Sequence, residues 1–222
     1  MIRLGVPSKG RLMEKTFDWF GKHGLTLSRT GSDREYAGRV DGADIALVLN
    51  IILITAVLSM GVTGSDLVRE KLTRWNSKVE TLARMDFGHA DLILAVPKVW
   101  IDVDTLDDLD AAAAQFRARH GHRLRIATKY HRQVREFLQD NGVADYQLVD
   151  SQGATEGTVL NHTAEMIADI TSTGETLRAN HLKVLSDGMI HASQATLFRS
   201  RTAKWTKSQK TDLDDLRLRL GV

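Results

Sequence analysis

Two carboxylates and a run of hydroxyls carry the chemistry legible in this chain: Glu156, then Asp169, then Thr171-Ser172-Thr173-Gly174-Glu175-Thr176. Met166 to Ile170 reads as a short buried strand that holds the second acid near its end, and a helix opens after the loop. Where a helix begins, hydroxyls and free amide N–H groups converge on phosphate oxygens, and the helix dipole favours negative charge. A carboxylate cannot itself ligate phosphate at neutral pH. Asp169 is therefore placed to accept hydrogen bonds from ribose hydroxyls or to hold a hydrated Mg²⁺. The chemistry expected is sugar-phosphate binding, and its bland competitor is an ordinary Thr/Ser-rich β–α turn with a capping residue. No Gly-Lys-Ser/Thr triplet follows the loop and no G-x-G-x-x-G string occurs, which argues against nucleotide hydrolysis by the Walker route and against dinucleotide binding.

The elements that position this loop follow from the pattern around it. Leu92 to Val96, Leu124 to Thr128, Tyr146 to Val149 and Met166 to Ile170 read as strands. Leu106 to His120, Arg132 to Gln139, Thr155 to Thr163 and the segment from Glu175 read as helices. Alternation of this length predicts an α/β fold with a mostly parallel sheet covered on both faces. Ligands in such sheets lie beyond the carboxyl ends of the strands, so the loops at Lys129-Tyr130, Ser151-Gln152-Gly153 and Thr171 to Glu175 are expected on one rim.

The first part of the chain reads as a strand at Ile2 to Val6, the loop Pro7-Ser8-Lys9-Gly10-Arg11, and a helix with Met13, Phe17 and Phe20 on one face that stops at His23-Gly24. Residues 28 to 49 look like a hairpin region with Asp41-Gly42 as a turn signal. Gly61 to Leu67 is a second strand-to-helix turn carrying hydroxyls and glycine, with Thr63, Gly64 and Asp66. Strand-like text returns at Gly188 to His191 and Ala195 to Arg199. The polar tail puts Leu213, Leu216 and Leu220 on one helical face, to dock on the core or on another subunit. Two lobes are expected: residues 1–91 with 185–222, and 92–184.

Composition bounds the rest. The chain has 222 residues, 42% of them hydrophobic and 26% charged, which is enough for one large or two small cores. The absence of cysteine excludes disulfides, thiolate metal sites and Cys nucleophiles. A net charge of +2 without a basic block interleaved with aromatics gives no reason to expect nucleic acid. Arg3, Lys9 and Arg11 interrupt any leader-like apolar run, so a cytoplasmic protein is expected. Ile45 to Val62 carries no charge, but Asn50, Thr55, Ser59 and Gly61 break it, so buried strand or core helix is expected there in place of a membrane span. His120-x-His122 reads as a solvated turn, His89 and His131 are unassigned, and no metal-ligand set is expected.

Several separated pieces together resemble one family. They are Val6-Pro7-Ser8-Lys9-Gly10-Arg11-Leu12, Gly61-Val62-Thr63-Gly64-x-Asp66-Leu67, Phe87-Gly88, Leu94-Ala95-Val96-Pro97 and Arg125 to Tyr130. Gly153-Ala154-Thr155-Glu156 follows, and then Ile167-Ala168-Asp169-Ile170-x-x-Thr173-Gly174-x-Thr176-Leu177. In this order, over nearly the whole chain, they resemble the short form of the ATP phosphoribosyltransferases of histidine biosynthesis.

The resemblance implies a two-lobed fold of the type II periplasmic-binding-protein kind with a cleft between lobes. It implies transfer of phosphoribosyl from phosphoribosyl pyrophosphate to N1 of ATP, with Mg²⁺ carried on the substrate and pyrophosphate released. It further implies a separate regulatory subunit similar to histidyl-tRNA synthetase and a homodimer within a hetero-oligomer. Breaking the anomeric bond builds positive charge on the ribose and negative charge on the leaving group, so preorganised charge matters more than a nucleophile.

On this reading Asp169 and Glu156 hold the ribose hydroxyls. Thr171, Ser172, Thr173, Gly174 and Thr176, with Glu175 in the same loop, surround the 5′-phosphate. Lys9 and Arg11, across the cleft, neutralise pyrophosphate or the ATP phosphates. Thr63, Gly64, Asp66 and Tyr130 are candidates for the ATP side. Solvated loop cations, a first-turn helix acid and a packing tyrosine are the competing roles for Lys9 and Arg11, for Glu156 and for Tyr130. His162 stands where the family pattern has Gly, which is expected to alter helix packing. Asn50 to Met60 is more apolar and several residues shorter than the family's polar loop and short helix: either the first lobe has a rearranged connection near Thr63 and Asp66, or the recorded sequence is imperfect locally. Two other functions compete: a sugar-phosphate-binding effector module without chemistry, and an idle subunit of the same fold.

Overall fold

Ile2, Leu4 and Val6 alternate with Arg3 and Gly5, and all three apolar side chains have no exposed surface in strand β1 (Ile2–Val6), which lies inside a sheet. The computed structural model describes residues 1–29, 37–41, 45–49, 58–151 and 154–222. After β1 the chain forms α1 (Gly10–Lys22), β2 (Leu27–Arg29), β3 (Ala37–Val40), β4 (Ile45–Leu49), β5 (Met60–Gly64), α2 (Ser65–Lys71), α3 (Trp75–Lys78) and β6 (Val79–Arg84). Next come β7 (Ala90–Pro97), α4 (Leu106–His120), β8 (Leu124–Thr128), α5 (His131–Asp140), β9 (Tyr146–Asp150), α6 (Gly157–Leu160), β10 (Met166–Thr171), α7 (Glu175–Ala179) and β11 (Leu182–Ser193). The chain closes with β12 (Ala195–Ser200) and α8 (Lys207–Leu220).

The chain divides into two units, Met1–Gly88 with Gln194–Val222, and His89–Ser193. The sequence expectation put the second division at 184/185. It falls later because β11 continues to pair with β7 as far as Ser193 opposite Ala90.

Among the described residues the first unit holds a sheet of order β2-β3-β4-β1-β5-β12-β6. Strand β1 is parallel to both β4 and β5, and β3 pairs antiparallel with β4 as the hairpin reading expected. The turn residue Gly42 lies outside the described residues, as do residues 50–57 of the apolar stretch. The described parts of that stretch are β4, the start of β5 and the two residues before it, and among the described residues no helix is long and apolar enough to cross a membrane. Helix α8 docks on the unit's own core: Leu213, Leu216 and Leu220 are buried with Ile2, Leu4, Phe20 and Leu197. This decides between the two roles open for the C-terminal leucines.

The second unit's sheet has the order β11-β7-β10-β8-β9. Strands β8, β9 and β10 run parallel, while β7 is antiparallel to β10 and β11 is antiparallel to β7. The expectation of a mostly parallel sheet is thus corrected to two mixed sheets. Alternating strand and helix text forces a parallel crossover only when the connections are short. The segment 98–105 lets α4 begin against β11, where the Leu106 amide donates to Asp187 Oδ1 at 2.9 Å.

The expected helix from Thr155 to Thr163 shrinks to the single turn α6. His162 adopts φ 54°, and the Thr163 amide returns to the Thr158 carbonyl (3.0 Å) while the His162 amide returns to that of Val159 (3.1 Å), the pairing that closes a helix C-terminus.

Candidate functional site

Along β10 the side chains alternate between two cores. Met166 and Ala168 belong to the cluster under α4 and α5, with Leu94, Leu109 and Val134. Ile167 belongs to the cluster on the opposite face, with Ile93, Ala127, Leu177 and Leu182. Asp169 and Thr171 continue the Ile167 face. The pairing with β8 ends at Ala168 opposite Thr128, whereas that with β7 runs on to Thr171 opposite Asp91. Asp169 to Thr171 thus project past the ends of β8 and β9, since Thr128 is itself level with Asp150. Among the described residues the expected rim exists, with β8, β9 and β10 all finishing on it, while Gln152 and Gly153 of the second loop lie outside the described residues.

At that rim lies a cavity of about 340 Å³ lined by Glu156, Asp169, Thr171, Ser172, Thr173, Glu175 and Thr176, over a floor that includes Ile167 and Leu177. Leu177, 6% exposed, seats α7 on the core, so the loop's far end is anchored by burial. Asp169 Oδ1 accepts the Ile170 amide at 2.8 Å, which sets the carboxylate's orientation. Glu156 sits at the start of α6 and is among the residues that line the same cavity. Two acids far apart in sequence meet here with the hydroxyl loop.

The loop's internal hydrogen bonds revise the expected donor set. Thr171 Oγ1 accepts the Gly174 amide at 3.0 Å, and Thr173 Oγ1 accepts the Glu175 amide at 3.3 Å. These two amides are engaged by the loop itself and are not free for an anion. Each hydroxyl, having accepted, retains its own proton to donate. Among the expected donors, the Thr171 and Thr173 hydroxyl protons thus replace the Gly174 and Glu175 amides. Ser172 Oγ donates to the His89 carbonyl at 2.8 Å, which ties the loop to the chain entering β7. Gly174 has φ 69°, a conformation glycine takes without steric cost.

Sequence reasoning had not assigned roles to the buried hydroxyls behind the rim. Ser151 and Thr155, 6% and 1% exposed, share a hydrogen bond of 2.9 Å. Thr128 Oγ1 accepts the Tyr130 amide at 2.9 Å. Tyr130, open between ligand contact and packing, is 6% exposed with its ring in the core beside Val134 and Leu138. A hydroxyl at a strand end preceding a helix was the signal available for Thr128.

Arg125 and Glu165 form a second unforeseen feature. Arg125 Nη2 donates to Glu165 Oε1 at 2.5 Å, and the Arg125 amide donates to Oε2 at 2.7 Å. Burial pushes the Glu165 carboxyl up, but the hydrogen bonds from the Arg125 side chain and backbone, with its charge, outweigh this and hold it below the ordinary carboxylate value. The pair clamps β8 to the segment that links α6 to β10.

The candidates in the first unit also gather at one sheet edge. Strands β1 and β5 are parallel neighbours, Leu4 level with Met60, so the loop after Val6 and the turn after Gly64 emerge side by side. Lys9 precedes α1 and Arg11 lies in its first turn, both exposed. Thr63 and Gly64 are the last two residues of β5, Gly64 directly precedes α2, and Asp66 in that helix's first turn is 5% exposed. Among the described residues no group of three or more His, Asp or Glu could hold a metal ion. Three carboxyl-bearing residues, Glu156, Asp169 and Glu175, line the β10 cavity, oxygen donors of the kind Mg²⁺ takes.

Comparison with known proteins gives concordant matches. The family model described as HisG, ATP phosphoribosyltransferase, matches residues 49–221. A curated ATP phosphoribosyltransferase of Cereibacter sphaeroides is 66% identical over 217 residues, covering 93% of this chain and 91% of the relative. One from Mesorhizobium japonicum is 47% identical over 222 residues, covering 95% and 94%. Among solved structures, the chain is similar to the ATP phosphoribosyl transferase (HisG:HisZ) complex from Thermotoga maritima, with TM-score 0.71, 23% identity and coverage of 100% and 99%. A histidine kinase sensor domain with similarity to periplasmic binding proteins follows at TM-score 0.51, 10% identity and coverage of 99% and 86%. These two structural likenesses speak for the fold alone.

Proposed function

The chain belongs to the ATP phosphoribosyltransferase family, and from that membership we propose how its residues transfer phosphoribosyl from phosphoribosyl pyrophosphate to N1 of ATP, the first step of histidine biosynthesis. The observation that carries the proposal is the meeting of the Glu156 and Asp169 carboxylates with the hydroxyls of Thr171, Thr173 and Thr176 around one cavity. Carboxylates accept hydrogen bonds from ribose hydroxyls, and hydroxyl protons donate to the 5′-phosphate.

In the reaction the bond from the anomeric carbon to pyrophosphate breaks and a bond to N1 of ATP forms. Positive charge develops on the ribose beside Asp169 and Glu156, which stabilise it without forming a covalent bond. Negative charge grows on the departing pyrophosphate, for which Lys9 and Arg11 are the proposed counter-charges. Thr63, Gly64 and Asp66 take the ATP side. Mg²⁺ enters on the substrate and screens the pyrophosphate charge. The chain works in the cytoplasm as a homodimer joined to a regulatory subunit similar to histidyl-tRNA synthetase. The complex named in the Thermotoga maritima structure supports such a partner.

The test is an absorbance assay with ATP, phosphoribosyl pyrophosphate and Mg²⁺, with and without the regulatory subunit. Product formation in either condition is expected. Phosphoribosyl pyrophosphate binding without turnover in both would replace the transferase by a binding module or an idle subunit.

A further inference from the structure

Arg178, on the last turn of α7, reaches back over the phosphate loop. Its Nη1 donates to the Thr173 carbonyl at 3.0 Å. The same peptide unit is held from its other side, because the Gly174 amide donates to Thr171 Oγ1 at 3.0 Å. One peptide plane is therefore fixed at both its oxygen and its hydrogen. A Cβ placed on Gly174 would lie 3.1 Å from Arg178 Nη1, so the guanidinium rests directly against that glycine. The Arg178 amide also bonds the Gly174 carbonyl at 3.0 Å, and Asn180 Nδ2 bonds the Thr176 carbonyl at 2.9 Å, so the turn that carries Arg178 is closed on the loop.

Rotation of the Thr173–Gly174 peptide would break its bond to Thr171 Oγ1. That hydroxyl would then turn its proton or lone pair elsewhere, and the orientation of the Thr173 side chain, which precedes the peptide, would change with it. A planar guanidinium suits the holding role because its donors keep a fixed geometry.

We propose that Arg178 is a positioning residue for phosphoribosyl pyrophosphate: by holding the Thr173 carbonyl it keeps the Thr171 and Thr173 hydroxyl protons directed at the 5′-phosphate. This rests on the reading of the β10 loop as the phosphoribosyl pyrophosphate site. Arg178 acts on the ligand through the loop, and its removal lowers the affinity for one substrate only.

The experiment compares Arg178→Met, Arg178→Lys, Thr171→Val, the Arg178→Met/Thr171→Val double variant and Asp169→Asn in the full chain, with Kd for phosphoribosyl pyrophosphate by calorimetry and KM for both substrates. Arg178→Met is expected to raise the phosphoribosyl pyrophosphate Kd and KM on the order of tenfold, the loss typical of a hydrogen bond from a charged donor. The ATP KM and the kcat at saturation stay near wild type, and Arg178→Lys restores most of the affinity. The double variant falls short of the product of the single effects, since both residues hold one peptide. Wild-type affinity in Arg178→Met, with Asp169→Asn weakened, overturns the positioning role alone. Independent, multiplicative effects of Arg178→Met and Thr171→Val also overturn it, because they would mean that Arg178 meets the ligand by itself. Wild-type affinity in both Arg178→Met and Asp169→Asn overturns the site reading and this proposal together.

Discussion

The carbonyl of His162 accepts a hydrogen bond from Arg125 Nη2 at 3.1 Å, and His162 holds φ at 54° to present it. A left-handed conformation at this position is one that glycine takes without steric cost. The chain places an L-residue in a region that costs most side chains 1–2 kcal/mol. The His162 carbonyl is retained as an acceptor whichever residue carries it.

His162→Gly is expected to stabilise the protein by about 0.5–1 kcal/mol, less than the full left-handed cost because glycine gains freedom when unfolded. Thermal unfolding with and without the substitution measures this. A lowered midpoint would mean that the His162 side chain contributes more than its backbone strain removes.

The Arg125–Glu165 pair gives the stability a dependence on pH with a definite sign. Because the folded Glu165 carboxyl titrates below its ordinary value of 4.5, its contribution is complete above that pH. It is lost as the pH falls through the lower, folded value. Denaturant unfolding between pH 3 and pH 7 should show a steeper acid limb for the wild type than for Glu165→Gln. Parallel limbs would remove Glu165 from the acid response.

Asp187 receives the first amide of α4 from a distant strand, with Oδ1 and Oδ2 at 2.9 and 3.2 Å from the Leu106 nitrogen. Asp187→Ala leaves that amide unpaired and should cost about 1–2 kcal/mol, as loss of a helix cap does. The beginning of α4 should then exchange its amide hydrogens faster than the end. Unchanged exchange at Leu106 would show that Asp187 does not protect that amide, since the Thr105–Asp108 capping box bonds the amides of Thr105 and Asp108.

Gly188 lies where β11 shifts register against β7, and a Cβ there would come within 2.8 Å of the Leu185 Cβ and 3.3 Å of the Leu94 Cβ. Gly188→Ala should destabilise by about 1–3 kcal/mol through overpacking, since neither neighbour offers a flexible end to move. Chemical denaturation at neutral pH checks the value. A neutral result would show that the β11 bulge can shift.

Asp169→Asn replaces a charged acceptor at the cavity by a neutral amide. Affinity for phosphoribosyl pyrophosphate should fall by about 1.5–3 kcal/mol, the range of hydrogen bonds to charged groups, with ATP binding unchanged. Calorimetry with each substrate separates the two, and equal weakening of both would point to a loss of fold in place of a lost contact.

By itself the sequence determined the elements and the order of chemical groups on them. The bounds Leu106–His120 and Leu124–Thr128 follow from apolar periodicity, from the stop signal at Gly121 and from the strand-forming run after it, all of which act between near neighbours. An acid at a strand end followed by hydroxyls and one glycine is equally local, so the loop between β10 and α7 was legible as text. Tertiary structure alone decided which way β7 and β11 run, that Tyr130 is buried, and that the Gly174 and Glu175 amides bond their own loop. It also decided that Glu156 reaches the cavity of Asp169 and that Arg125 meets Glu165. Apart from the loop amides, each of these depends on pairings between segments far apart in the chain, such as Asp169 opposite Ile93. Strand direction and burial are settled by how whole sheets close over their cores, and a local pattern holds no record of that.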